Sequence, residues 1–242
     1  MTLTRRYALP VFAMTLIVLA SNIAVQFPVQ GQVGSLSLGD LLTWGAFVYP
    51  FAFIITDVNN RLFGPQMARR VVYIGFAMAI LSSIVLPPLL YGWGLVPFGL
   101  EPGRLVRIAL ASGSAFLLAQ LMDIYVFNRL RRKSWWKAPM ASGVVGTIID
   151  TLVFFSLAFS SVFLLLGPND DFALELAPLL GVLSLEAPRW ISWALGDFSV
   201  KMVVAVFGLV PYRVAINLLL PYRETTSYAG QSGLSSANRN SR

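Results

Sequence analysis

The sequence predicts an all-α protein, a polytopic membrane helical bundle with six transmembrane helices. The first observation is composition, because 57% of the residues are apolar and 12% are charged, with a mean hydropathy of +0.71. Such a chain has too little polar surface to cover a soluble globule. The other two observations are the length of the apolar runs and the uneven placement of the basic residues. Together they indicate that lipid surrounds most of the chain.

The apolar runs define the predicted spans. Each is about 20 residues or longer, and a helix of about 20 residues crosses roughly 30 Å of hydrocarbon. The first run lacks a small-residue cleavage site before Asn22 and Gln26, so we expect a retained helix and not a signal peptide. The predicted spans cover residues 8–29, 41–62, 71–93, 105–128, 139–166 and 191–219.

The basic residues lie mainly on one predicted side of the membrane. Of the 18 Lys and Arg residues, 14 flank span ends on that side, three lie on the other side, and Lys201 lies within span six. The 14 are Arg5, Arg6, Arg61, Arg69, Arg70, Arg129, Arg131, Arg132, Lys133, Lys137, Arg213, Arg223, Arg239 and Arg242. The positive-inside rule therefore predicts that both termini are cytoplasmic. The net charge of +7 is explained by topology, and we expect no nucleic-acid partner.

Two segments outside the spans have distinct compositions. The longest exterior loop, residues 167–190, mixes Leu, Pro and acidic residues and is compatible with a short interfacial helix. Residues 225–242 are rich in Ser, Asn and Gly and are predicted to form a disordered cytoplasmic tail. The predicted transporter domain is therefore residues 1–224.

The residue types that are absent exclude most kinds of catalysis. The sequence has no cysteine and no histidine, which removes thiol nucleophiles, disulfides, the usual zinc ligands and the commonest general base. It also has no phosphate loop and no nucleophile elbow. We therefore expect a protein that is not an enzyme and that binds neither a metal nor a cofactor.

Charged residues inside the predicted spans are the strongest indication of function. A charge at the centre of a membrane helix costs about 2.5–3.5 kcal/mol and needs a partner, a cavity or a function. Asp150 lies about 13 residues after Lys137, near the bilayer midplane. Asp197 and Lys201 share a face of span six and can neutralise each other. We expect the three to converge on one cavity, although a structural helix contact would give the same pattern.

Three further polar pairs are spaced to share a helix face. They are Asn22 with Gln26 in span one, Asp57 with Arg61 in span two, and Gln120 with Asp123 in span four. Each pair can line a pathway or join helices, and Asp57 with Arg61 can equally form a salt bridge at a helix end. The predicted substrate-binding residues are Asn22, Gln26, Asp57, Gln120, Asp123, Asp150, Asp197 and Lys201. This arrangement is typical of a pathway for a small polar solute.

Blocks of residues over positions 20–220 form a specific pattern. In the first half they are Ser21-Asn22, Val25-Gln26 with Pro28, Thr43 to Phe47, Thr56-Asp57, Arg61 with Phe63-Gly64, and Ala68 to Arg70. In the second half they are Gln120 with Asp123, Val126 to Arg131, Trp135-Trp136 with Ala138-Pro139, Asp150 to Leu152 with Phe154-Phe155, and Asp197 with Lys201. Together these blocks resemble the queuosine precursor transporter family.

The resemblance implies a bacterial inner-membrane protein that imports 7-cyano-7-deazaguanine and/or 7-aminomethyl-7-deazaguanine. For such a substrate, Asp150 or Asp197 could accept hydrogen bonds from the guanine edge, and Lys201 or Gln120 could donate to the carbonyl. Two alternatives stay open. One is a substrate-binding subunit of an energy-coupling vitamin importer, which needs ATPase partners, and the other is a non-transporting membrane scaffold protein.

Overall fold

The computed structural model describes residues 3–34, 36–97 and 99–219. Four of its helices are long and apolar enough to cross a membrane: Pro65–Gly92, Pro102–Leu130, Lys137–Phe159 and Arg189–Leu219. A shorter apolar helix covers Ala8–Ala24. The chain is a multi-pass helical membrane protein, as predicted, whereas the total of six spans and the side of the termini stay predictions. The predicted tail, residues 225–242, lies outside the described residues.

The order of elements is as follows. The helices are α1 Leu3–Ala24, α2 Gly45–Val48, α3 Phe51–Phe63, α4 Pro65–Gly92, α5 Pro102–Leu130, α6 Lys137–Phe159, α7 Asp171–Leu174 and α8 Arg189–Phe207. After a turn at Gly208, residues 209–219 are again helical. Two antiparallel hairpins pair β1 Gln32–Val33 with β2 Leu36–Ser37, and β3 Leu176–Pro178 with β4 Glu186–Pro188.

The predicted span 41–62 is not one continuous helix. α2 ends at Val48 and α3 begins at Phe51, because Pro50 between them has no amide hydrogen to donate. At the break, Ala52 and Phe53 donate to the carbonyls of Tyr49 and Pro50, three residues earlier. α3 has 13 residues, a length of about 20 Å. Irregular backbone at membrane depth is tolerated where it borders protein or a cavity. The residues at this break are therefore expected to face the protein interior or a cavity.

The predicted span 139–166 is too long, because α6 ends at Phe159. Ser160 adopts an extended conformation, and a 3-10 helix follows over Ser161–Leu166. The freed carbonyls are satisfied by Arg107 of α5, which is 1% exposed and donates to Leu157 O at 2.8 Å and to Ser160 O at 2.6 Å. Within residues 167–190 the structure has the short helix α7 and the β3–β4 hairpin, with a 3-10 turn at Leu179–Gly181 between the strands. The loop therefore contains a short helix, and its place at the membrane interface stays a prediction.

The bundle is organised around α5, which packs against α4 on one side and α6 on the other. Met14 of α1 and Phe116 of α5 belong to the main buried apolar cluster. A Cβ atom at Gly75 of α4 would lie 2.8 Å from Met14 Cγ and 2.9 Å from Phe116 Cζ. Glycine at this position therefore permits the close packing of three helices.

A single residue joins α3 to α4. Gly64 has a φ of 88° and a ψ of 173°, a region that only glycine adopts without strain. Pro65 starts α4, where its missing amide hydrogen has no helical acceptor to lose. The two helices therefore meet with no intervening loop.

Candidate substrate site

Three charged side chains from α6 and α8 meet in the interior of the bundle. Lys201 Nζ donates to Asp150 Oδ2 at 2.7 Å and lies 2.6 Å from Asp197 Oδ2. The side chains of Asp150 and Lys201 are each 6% exposed, and that of Asp197 is 15% exposed. The three side chains contact one another, whereas the predicted common cavity stays a prediction, and Asp197 is the most accessible of them.

Two further side chains complete this group, which we call the carboxylate–lysine cluster: Asp150, Asp197, Lys201, Tyr49 and Thr151. Tyr49 donates its hydroxyl hydrogen to Asp150 Oδ1 at 2.8 Å, and Thr151 Oγ1 donates to Asp197 Oδ2 at 3.2 Å. Lys201 Nζ also lies 4.9 Å from the centre of the Tyr49 ring, within cation–π range. Tyr49 is located at the break between α2 and α3, so the discontinuous helix delivers a side chain to the cluster.

Aromatic rings lie beside the cluster on the side of the loop that contains α7. Trp193 is one turn before Asp197 on α8, and its ring centre is 5.5 Å from that of Phe159 and 6.1 Å from that of Phe172. Phe154, one turn after Asp150 on α6, contacts Phe159 at 6.1 Å between ring centres. Aromatic residues therefore lie within one helical turn of both carboxylates on α6 and α8.

A narrow crevice lies about one helical turn from the cluster along α6 and α8, and none of the five cluster residues is part of its lining. Its volume is about 20 Å³, room for about one water molecule. Its lining includes Thr147 and Gly143 of α6, Ala205 of α8 and Asp57 of α3. At Gly146 the Phe53 ring takes the available space, because a Cβ atom there would lie 2.6 Å from Phe53 Cε1. The crevice as it stands is therefore too small for any solute larger than a few atoms.

A second polar group contains Asp57 of α3 and Asp123 of α5, which we call the carboxyl pair. The two carboxyl groups are neighbours, and they are 3% and 0% exposed. Ser142 of α6 donates to Asp57 Oδ1 at 3.2 Å. Neither carboxyl oxygen of Asp123 accepts a hydrogen bond from any donor in the described part of the chain. This pair is separate from the carboxylate–lysine cluster.

The predicted pairing of Asp57 with Arg61 is not the main contact of either residue. Arg61 instead donates to Tyr212 OH at 3.0 Å and to the carbonyl of Arg131 at 2.8 Å. Arg61 therefore joins α3 to the ends of two other helices, while it also acts electrostatically on Asp57.

Gln120, predicted to share a face of α5 with Asp123, is fully buried against α3. Its Oε1 accepts a hydrogen bond from Thr56 Oγ1 at 2.5 Å. Its Nε2 has no partner among the described residues. Gln120 therefore lies at the α3–α5 contact beside the carboxyl pair and outside the carboxylate–lysine cluster.

The prediction that Asn22 and Gln26 share a helix face is wrong. α1 ends at Ala24, so Gln26 lies beyond the helix. Asn22 accepts a hydrogen bond from Ser83 Oγ of α4 at 2.7 Å and donates to Val18 O at 3.0 Å. Its observed contacts join α1 to α4.

Comparison with known proteins identifies the family. A family model described as "Putative vitamin uptake transporter" matches residues 43–216. The "Queuosine precursor transporter" of Escherichia coli (strain K12) is 37% identical over 213 residues, which cover 85% of this chain and 84% of that protein. The chain belongs to this family of vitamin uptake and queuosine precursor transporters. The resemblance inferred from the residue blocks is thereby confirmed.

Two more distant members of the transporter family agree with this assignment. A "Probable queuosine precursor transporter" of Haemophilus influenzae is 33% identical over 84% of this chain and 83% of that protein. One of Bacillus subtilis is 26% identical over 76% of each chain. No solved structure matches the chain.

The family match includes the carboxylate–lysine cluster and the carboxyl pair, whereas Asn22 and Gln26 lie before its first residue. Sequence reasoning missed Tyr49 as a partner of Asp150. The available signal was Pro50, because a proline within an apolar run predicts a break whose neighbouring side chains face protein or a cavity. In this transporter family member the break is where the polar end of a tyrosine reaches a buried carboxylate.

Proposed function

We propose that this protein imports 7-cyano-7-deazaguanine and/or 7-aminomethyl-7-deazaguanine across the bacterial inner membrane, with both termini in the cytoplasm. The observation that carries the proposal is the buried carboxylate–lysine cluster. Two acidic groups and one basic group at mid-depth are expensive to bury and typically mark the path of a polar substrate. The names of the relatives supply the class of solute, and the chemistry of the cluster supports it.

Asp197 is the group that we assign to the guanine edge. A 7-deazaguanine presents its N1–H and exocyclic amine side by side, and one carboxylate can accept from both. Lys201 and Thr151 both contact Asp197 Oδ2, so Oδ1 accepts one of the two solute donors first, and Oδ2 accepts the other when Lys201 gives up its contact. Asp197 is also more exposed than Asp150. A solute can therefore reach it with less rearrangement.

The other members of the cluster have complementary roles in this proposal. Lys201 donates to the carbonyl oxygen of the base when its contact with Asp197 is given up. Asp150 accepts the hydrogen bond of Lys201 with Oδ2 and keeps the ammonium group charged and oriented. Its other oxygen, Oδ1, is held by the Tyr49 hydroxyl. Trp193, one turn from Asp197, supplies a flat face for the ring.

The small crevice makes movement part of the mechanism. Since the crevice next to the cluster, at about 20 Å³, cannot hold a fused-ring base, helices separate in this proposal to let the solute pass there. Transporters commonly place their sites at mid-membrane beside discontinuous helices and expose them alternately to each side. The break at Pro50, next to the cluster, supports this mode of action.

Uptake of labelled precursors tests the proposal. Cells that cannot make queuosine precursors should accumulate the label only when they express the protein. Asp197→Asn should abolish most of the uptake, while the matched control Glu186→Gln, at an exposed position on β4, should leave it unchanged. Absence of uptake with the wild-type protein, at verified expression, refutes the transport proposal. If the purified protein binds the precursor but uptake needs a copurifying ATPase, the protein is the substrate-binding subunit of an energy-coupling importer. If the purified protein binds no precursor, it is a scaffold.

A further inference from the structure

We propose that the carboxyl pair, Asp57 with Asp123, is a proton-binding site that couples solute import to proton movement into the cytoplasm. The inference rests on the proposed function and adds its energy source. Ser142, which contacts Asp57, is eight residues before Asp150 on α6, a separation of roughly 12 Å along the helix. The proton site and the solute site are therefore distinct but lie along one helix.

The geometry of the pair requires a proton. Ser142 has a single hydroxyl hydrogen, and this hydrogen is directed at Asp57 or at the Pro139 carbonyl. Asp123, with 0% exposure, has Asp57 and Ser142 as its polar neighbours but receives a hydrogen bond from no described donor. Two adjacent carboxyl groups can bond to each other only if one carries a hydrogen. A single shared proton therefore satisfies both groups.

Unsatisfied polar atoms concentrate at this same contact between α3 and α5. Among the described residues, the buried side-chain atoms without hydrogen-bond partners belong to Asn60, Gln120 and Asp123. Asn60 lies on α3, and the other two lie on α5. Native structures rarely leave buried polar groups unpaired without a functional reason. The α3–α5 contact is therefore suited to a second arrangement in which water reaches these atoms.

The charged and titratable groups around the pair agree with a gate on this side of the bundle. Arg61 of α3 acts electrostatically on Asp57, but its N–H groups are engaged by the Tyr212 hydroxyl and by the carbonyls of Arg131 and Trp135. Tyr212, on the helical segment 209–219, faces Asp57 as well. The pair therefore has a nearby cation that does not replace the missing hydrogen-bond donor of Asp123.

In the proposed cycle one carboxyl group takes a proton from exterior water while the solute site is open to the exterior, and the pair later releases this proton to the cytoplasm. When one carboxyl group is protonated, its O–H donates to the other carboxylate and joins α3 to α5. When that O–H bond is broken and the proton passes to cytoplasmic water, two adjacent carboxylates remain and repel each other. The repulsion displaces α3, which lines the crevice between Asp57 and Thr147 together with α6 and α8, and the crevice widens. One proton is carried per solute, with no covalent or redox change.

Purified protein in liposomes tests this coupling. Two readouts are compared for labelled 7-cyano-7-deazaguanine: exchange across the membrane without a pH gradient, and accumulation with the exterior about one pH unit more acidic. The wild type and the control Glu186→Gln should exchange the label and accumulate it up to about tenfold. Asp123→Asn and Asp57→Asn remove the shared proton but keep the side-chain shape. They should exchange the label and fail to accumulate it.

Three results would overturn the inference. Exchange by the wild type without any response to the gradient shows that protons are not coupled. Accumulation by both Asn variants shows that protons bind elsewhere, and loss of label binding in folded Asn variants places the pair in the solute site. Absence of exchange by the wild type is different, because it refutes the proposed function itself. Elution of each variant as a single detergent-solubilised species establishes that it is folded.

Discussion

Replacing Lys201 by Met tests whether the buried ammonium group neutralises two carboxylates at once. Its nitrogen lies 2.7 Å from Asp150 and 2.6 Å from Asp197. At an effective dielectric constant of about 20, one such contact is worth roughly 6 kcal/mol of Coulombic attraction. Desolvation offsets much of this, and removal of one partner from a buried pair destabilises a protein by about 3–5 kcal/mol. The Met side chain would leave two buried negative charges without their cation.

The expected result is a decrease in the melting temperature of the detergent-solubilised protein. For a chain of this size, about 1 kcal/mol corresponds to roughly 2–4 °C, so Lys201→Met should lower the melting temperature by about 6–20 °C. Adding Asp197→Asn to Lys201→Met should recover part of the loss, because one stranded charge is removed. Adding Asp150→Asn as well should recover more. The melting temperatures of the single, double and triple variants should therefore rise in that order, because each added substitution removes one unneutralised charge.

The control is Lys201→Arg, which keeps the positive charge but not the compact ammonium group. It should melt above Lys201→Met. A Lys201→Met protein with the wild-type melting temperature would refute the reasoning, because the ammonium group would then not be neutralising ionised carboxylates. A double variant less stable than Lys201→Met would equally contradict it.

Four further predictions concern substrate binding, the end of α6, the C-terminal tail and the topology. Asp197→Asn should weaken precursor binding roughly 10- to 150-fold, from the loss of one charge-assisted hydrogen bond, as measured by equilibrium binding with Glu186→Gln as control. Arg107→Leu should leave the carbonyls at the end of α6 unpaired and increase protease cleavage within residues 160–188, whereas unchanged cleavage would show that this segment is held by other contacts. Deleting residues 228–242 should leave uptake intact at normal expression, and a reporter fused at residue 225 should lie in the cytoplasm; an exterior reporter would reverse the predicted topology.

The sequence predicts the long helices and the central ion pair because both depend on regular spacing. The i, i+4 interval fixes Asp197 beside Lys201 on any helix, and the depth of Asp150 follows from the helical rise. The apolar content alone indicates a membrane bundle. These features need no knowledge of which helices are neighbours.

Other features depend on tertiary contacts that spacing does not specify. Asn22 and Gln26 have the correct interval for a shared face, but α1 ends between them. The end of α6 at Phe159 depends on Arg107 of another helix, which donates to carbonyls on both sides of this end, at Leu157 and Ser160. The carboxyl pair likewise joins residues 66 positions apart, so local patterns contain no sign of it. The carboxyl pair can be identified only when the packing of α3 against α5 is known.

The single glycine between α3 and α4 couples the orientations of these two helices. With Phe63 as the last residue of α3 and Pro65 as the first of α4, the connection has no slack to absorb a change in tilt. A displacement of α3 at Asp57 should therefore also displace the first turns of α4, a helix that packs against α1 and α5. Because the connection is so short, a change at one carboxyl group of α3 is transmitted to α4 and to the helices packed against it. This transmission depends on the backbone conformation that glycine adopts at position 64.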